Sequence, residues 1–304
     1  MSDYDVTGRV KVTEPRAVCA AIKHIFRLRY PHFAEQRLDT LFDDFAQLYR
    51  GERPGFHACE TGYHDMRHVL DVTLAMARLL DGYEAEQPPH LALGAQLAFV
   101  GVSVALYHDA GYIRRRGDSR HQHGAEYTRT HVSRSARFLR EYLGAAGMPE
   151  EAELAAKLVH FTGYETHPEQ IPLTDPRHRV LGALIGTADV VAQMADPAYL
   201  EKCRDHLYPE FVLGGMTHQR DAEGRQQVVY ASELELLEKT PAFIQSTISS
   251  RLDATFGSLY RYLNVHFGGR DPYMAALHSN RRYLEQRLAS EPREQLLSGP
   301  LRAS

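Results

Sequence analysis

The chain has 304 residues, enough for two domains or one large helical one, and its 43% hydrophobic and 24% charged residues exclude extensive disorder. Lysine and arginine total 35 against 39 aspartates and glutamates, so at a net charge of −4 it lacks the basic field of a nonspecific nucleic-acid binder.

Flanking helices are expected over 10–50. From 63 to 81, Val69, Val72, Met76 and Leu79 recur at three- and four-residue intervals, the stripe of an amphipathic helix. Leu91 to Tyr107 is a charge-free run of 17 residues, short of the roughly 20 that span a bilayer, and it reads as a buried helix ending in His108-Asp109. Ala125, Thr128, Val132, Ala136, Leu139 and Leu143 mark a helix over 124–143. Pro149 with Glu150 and Glu151 opens the next, which runs to about His160 and stops near Gly163. Asp175-Pro176 is a cap followed by proline at the first helical position, with Val180, Leu184, Ala188 and Val191 as the apolar face and Pro197 as the stop. Residues 214–229 form a polar loop with room for a short hairpin. Flanking helices return over 231–290, where Asp271-Pro272 repeats the start signal and Tyr273, Leu277, Leu284 and Leu288 give the buried face. The reading is an all-α bundle: a single domain over 1–290 with its core at 60–196, and a loose tail over 291–304.

Cys19, Cys59 and Cys203 are odd in number and widely spaced, which suits a reducing compartment, and the N-terminus carries no apolar signal region. A cytoplasmic location, no membrane association and no stable nucleic-acid partner are therefore expected, while a homodimer is left open.

Histidine is abundant at 17 residues, and neutral imidazole is the commonest metal ligand. His64 and His68 lie one helical turn apart and can reach one cavity. His108-Asp109 ends the most hydrophobic run, and Asp189 sits between Ala188 and Val190 in an apolar helix. Such groups are costly to bury unless paired or bound to a cation. His131 and His160 follow on later helices.

At these residues the sequence resembles the HD-domain metal phosphohydrolases, and within them bacterial relatives of the class I cyclic-nucleotide phosphodiesterases. YHDMRH is similar to the phosphodiesterase opening YHNxxH, ALYHDAGY to the superfamily's HD, HVSRSA to an HxxxSA pattern after it, and GTADVV to the closing TAD. The resemblance covers 60–196 and implies an HD/phosphodiesterase-like bundle with a metal site between core helices. It implies that His68, His108, Asp109 and Asp189 bind one divalent ion, with Asp109 bridging to a second whose protein ligands are His131 and His160. Mn, Mg, Ni, Fe and Zn all remain open. His64 would be the general acid while metal-activated hydroxide attacks phosphorus. Two departures stand out: Asp65 replaces the family's Asn, and Tyr112 occupies the place of a further His.

LEKTPAFIQ resembles the phosphodiesterase clamp segment, with Phe243 as the clamp aromatic and Thr240 where a purine-reading Gln belongs. Arg114 and Arg115, just after HD, are candidates to hold a phosphate. The expected activity is hydrolysis of a phosphodiester or phosphomonoester of a nucleotide-like substrate, a cyclic mononucleotide first among candidates. A di-iron HD-domain oxygenase and a noncatalytic nucleotide sensor are the alternatives.

Overall fold

The computed structural model describes residues 3–221 and 223–302. Helices dominate, and the one sheet among these residues is the hairpin β1 (His218–Arg220) against antiparallel β2 (Gln226–Val228), inside the loop expected to hold one. None of the helices among these residues is long and apolar enough to cross a membrane.

The centre is α3 (Met66–Glu86), buried on almost every side, against which pack α1 (Pro15–Arg29), α4 (Gly94–Tyr107), α7 (Pro176–Ala195) and α11 (Arg261–His266). α2 (Gln36–Tyr49) backs α1 and α4, while α5 (His131–Ala145) and α6 (Pro149–Leu158) form an antiparallel pair beside α4. The sequence expected one helix from 124. Instead Gly124–Tyr127 is a separate 3₁₀ turn, closed by a reciprocal cap between His123 and Glu126, and α5 starts at His131.

The C-terminal half wraps this core. After α8 (Tyr199–Lys202) comes a wide turn over Cys203–Leu207 and then α9 (Tyr208–Leu213); α10 (Glu233–Ser246) and α12 (Pro272–Ser290) follow. Of the tail 291–304, expected to be loose, residues 303 and 304 lie outside the described residues, and the rest form α13 (Arg293–Ser298) and are docked. Leu296 and Leu301 are fully buried, and Arg204 donates to the carbonyls of Leu296 and Gly299. Two apolar side chains with somewhere to go suffice to order a short polar tail.

A buried ionic frame ties the halves together. The Asp196 carboxylate, just past α7, takes both guanidinium nitrogens of Arg67 (2.7 and 3.1 Å) and the Lys202 ammonium (3.0 Å), so one residue joins α3, α7 and α8. These charges hold Asp196 down at about 2 against burial. Arg78 pairs with Asp5 at 2.8 Å and donates to Tyr273 Oη at 2.6 Å. Asp71, between these pairs, has one oxygen without a partner, and burial, then the nearby Asp196, pushes its carboxyl up to about 7.

Candidate metal centre

The N-terminus of α3 is built to present two histidines. Asp65 caps it, its side chain accepting from the His68 N–H at 2.8 Å, which fixes the first turn and with it the His68 ring. At the C-terminus of α4, His108 Nδ1 donates to the free Ala105 carbonyl at 2.8 Å, leaving Nε2 as the inward lone pair. Asp109 then leaves the helix into the 3₁₀ turn Ala110–Tyr112, and Asp189 projects from the middle of α7.

The three segments converge. His108 Nε2 lies 3.2 Å from Asp109 Oδ2 and 3.5 Å from Asp189 Oδ1; His68 Nε2 lies 3.4 and 3.7 Å from the same oxygens. Ligand atoms about 2.0–2.2 Å from a shared ion are separated by about 3.0–3.6 Å at octahedral to tetrahedral angles, so the His68 and His108 spacings to Asp109 suit a common cation, while Asp189 lies beside both imidazoles but outside that tight group. Asp109 Oδ2 is buried and has no properly oriented hydrogen-bond donor, the kind of orphan acceptor a cation satisfies. His68, His108 and Asp109 are the group whose ligand atoms all fall within 4.8 Å of one another, and they could hold a metal ion. Burial opposes charge throughout, yet the His108 and His64 imidazoles hold Asp109 well below the usual carboxylate range, so the pocket favours positive charge beside it.

His131 opens α5 on the far side of Asp109. Its Nδ1 donates to the Thr128 carbonyl at 2.7 Å, so Nε2 is again the inward atom, 3.8 Å from Asp109 Oδ1. Burial outweighs Asp109 and holds this ring below its ordinary value, keeping it neutral as a ligand must be.

His64 stands apart from the donor cluster. Its Nδ1 lies 2.7 Å from Glu210 Oε2, and Glu210 Oε1 accepts the backbone N–H groups of Tyr63 (2.5 Å) and His64 (3.3 Å). Burial disfavours the imidazolium, but Glu210 and Asp109 overcome it and raise the ring above its ordinary value. Glu210, from α9, was not visible in the sequence: 146 residues separate it from His64, and no spacing rule links them.

These residues line one cavity of about 550 Å³, whose wall also includes Tyr164, Phe211, Tyr230, Thr240 and Phe243. Tyr199, Cys203, Leu207 and Phe211 supply one side at steps of four. In a regular helix three such steps would drift by about 120°. The wide turn over Cys203–Leu207 takes up that excess and keeps the stripe in line.

Of the residues expected at the site, His64, His68, His108, Asp109, His131, Asp189, Thr240 and Phe243 meet around this cavity, and three do not. His160 is half-buried behind the wall formed by Thr162 and Gly163. Arg114 spends its guanidinium on Glu60 (two bonds of 2.8 Å) and the His121 carbonyl, and Arg115 pairs with Glu141 on the surface. Carboxylates closer than the cavity claimed them. The cations in the wall are Arg129, which donates to the Gly215 and His218 carbonyls, and Lys239, which is paired with Glu235 at 2.7 Å and donates to the Val229 carbonyl. Thr240 donates its hydroxyl to the Leu236 carbonyl at 2.8 Å, so its methyl is the group left for the cavity. Gln193, one turn beyond Asp189, accepts from Tyr63 Oη at 3.2 Å and keeps its amide N–H groups for the pocket.

No model of a known protein family matches the chain, and no curated protein matches it either.

Proposed function

We propose that this protein is a metal-dependent phosphohydrolase of the HD-domain type, cleaving a phosphodiester or phosphomonoester of a nucleotide-like substrate, with cyclic mononucleotides the first class to test. The observation that carries the reading is the convergence of the His68 and His108 Nε2 atoms on the orphaned Asp109 Oδ2 and on Asp189 Oδ1, with a carboxylate-backed His64 on the same cavity. The order of these groups along the chain matches the HD resemblance and supports the HD-type bundle.

A divalent ion held by His68, His108, Asp109 and Asp189 would polarise a phosphoryl oxygen and render water nucleophilic near neutral pH. His131 Nε2 and Asp109 Oδ1 offer donors for a second. The remaining steps belong to side chains. His64, kept protonated by Glu210, delivers its proton from Nε2 to the departing oxygen, and Glu210 offsets the charge the ring carries beforehand. Arg129 supplies positive charge along the wall for an anionic substrate, and the tyrosine and phenylalanine rings shelter its less polar body. With the Thr240 hydroxyl committed to its own helix, base recognition falls to the Gln193 amide.

The test is metal analysis of the purified protein coupled to turnover of bis(p-nitrophenyl) phosphate, cyclic AMP, cyclic GMP, cyclic dinucleotides and nucleoside monophosphates under Mn, Mg, Ni and Fe. His64→Ala should keep its metal and lose turnover by about 100-fold or more, whereas Asp109→Ala should lose metal. Bound iron, oxygen consumption and a silent ester panel would replace the hydrolase with an oxygenase.

A further inference from the structure

Tyr112 is 2% exposed, and its ring packs against two histidines. It is stacked on His64 with centroids 4.6 Å apart and planes 18° from parallel, and on His131 at 4.4 Å and 18°. The two imidazoles are themselves 6.2 Å apart, centroid to centroid, and 35° from parallel, so they lie side by side against Tyr112 on the cavity wall rather than on opposite sides of it. Each histidine has one in-plane tether, His64 Nδ1 to Glu210 and His131 Nδ1 to the Thr128 carbonyl. A ring held at one nitrogen can still swing about that bond, which would sweep its Nε2 through the space where a substrate oxygen or a ligand belongs. The flat Tyr112 ring against one face of each imidazole limits that swing.

The turn that carries Tyr112 is itself fixed against α5. The Gly111 N–H donates to Ser135 Oγ at 2.8 Å, and Arg134 Nε donates to the Gly111 carbonyl at 2.6 Å. A Cβ on Gly111 would stand 1.9 Å from the His131 carbonyl oxygen, so glycine is what lets the turn after Asp109 approach α5 closely enough for Tyr112 to lie against both imidazoles.

We propose that Tyr112 is a positioning residue for proton transfer, clamping His64 and His131 by face-to-face stacking so that both Nε2 atoms are held toward the cavity. The role rests on the phosphohydrolase reading, because it concerns the step in which His64 gives up its proton. It requires a planar ring at 112 and not the hydroxyl.

The experiment compares wild type with Tyr112→Phe, Tyr112→Leu and Tyr112→Met, measuring kcat and KM for bis(p-nitrophenyl) phosphate under Mn, bound metal, and the ring-proton shifts of histidine in isotope-labelled protein. Wild type and Y112F should show ring-current-shifted lines for two histidines, with kcat of Y112F within about threefold of wild type. Y112L and Y112M should lose those shifts and about 30- to 100-fold in kcat, with KM and metal content held within about twofold, as for a reacting group misplaced by about 1 Å. Wild-type kcat in Y112L or Y112M with the shifted lines gone overturns the proposal. So does a comparable loss in Y112F, or failure of both aliphatic variants to fold, which would make the ring structural. A wild type with its metal and its shifted lines but no turnover overturns the phosphohydrolase reading and the role with it. That outcome differs from failure of the clamp alone, in which wild type and Y112L turn over equally.

Discussion

Glutamine at position 210 gives the sharpest test of how His64 is held. Glu210 is 3% exposed and makes three contacts, two to backbone N–H groups and one to His64 Nδ1 at 2.7 Å. Gln matches its shape and still accepts the backbone bonds through its carbonyl oxygen, so the fold should survive. The loss falls on the third contact, where an ionic hydrogen bond to a buried imidazole becomes neutral. Such a bond contributes about 1.5–3 kcal/mol, and removing it lowers the proton affinity of His64. Burial then goes unopposed on that side, since it already acts to neutralise the ring. The direction follows: an acid works only while protonated, so activity falls as pH rises through its pKa, and in E210Q that fall should come at lower pH than in wild type. At pH 8 kcat should be about 10- to 100-fold lower, with bound metal unchanged. Hydrolysis of bis(p-nitrophenyl) phosphate across pH 5–9, beside metal analysis, reads both. An alkaline limb that stays in place, or metal lost in step with activity, would refute the dyad.

Two further outcomes concern stability. Asp71 is held at about 7 in the fold against an ordinary 3.8, so it keeps its proton longer when folded and weakens the fold as pH rises from about 4 to 7; Asp71→Asn should therefore raise the Tm at pH 8, by at most about 4 kcal/mol in stability, and do little at pH 4.5. A D71N protein melting lower than wild type at pH 8 would show that the carboxylate is needed by Arg67 or Arg78. Gly111→Ala forces a carbon into the His131 carbonyl and should cost about 1–3 kcal/mol, seen as a lowered Tm, together with disturbed histidine ring shifts; an unchanged melt would mean the turn can move aside freely.

Much of the helical layout is local in origin, which is why it could be read. Asp65, Asp175 and Asp271 each cap the helix that follows, and the prolines at 149, 176 and 272 stand in the first turns where they were expected. The inward donors were readable too, because a histidine or carboxylate in an apolar helix must find a partner. What could not be read is competition between partners distant in sequence. Arg114 looks available until Glu60, 54 residues away, is seen to hold it. Glu210 looks like one more surface acid on a short helix until the fold carries it to His64. Tyr112 drew notice only as a departure from a histidine, and its stacking depends on Gly111 permitting an approach no pattern announces. His160 ends its helix where hydropathy placed it, yet the following turn gives the cavity Thr162 and Gly163 instead.

The docked chain end has a practical meaning for anyone handling this protein. Arg204 grips the Leu296 and Gly299 carbonyls, while Glu201 takes the Leu301 N–H and the Arg302 guanidinium. Both belong to the rod that runs from Tyr199 through the wide turn to Glu210, so residues 296–302 brace from outside the strut whose inner edge touches His64. Trimming at Ser290, where hydropathy invites a cut, would remove these ties from the strut and leave it to the Lys202–Asp196 pair, the Tyr208 hydroxyl bond to the Ala231 carbonyl and its packing against α10. An affinity tag is better fused to the other terminus, and activity lost on shortening the C-terminal end should be sought in the pairing of Glu210 before it is sought among the metal ligands.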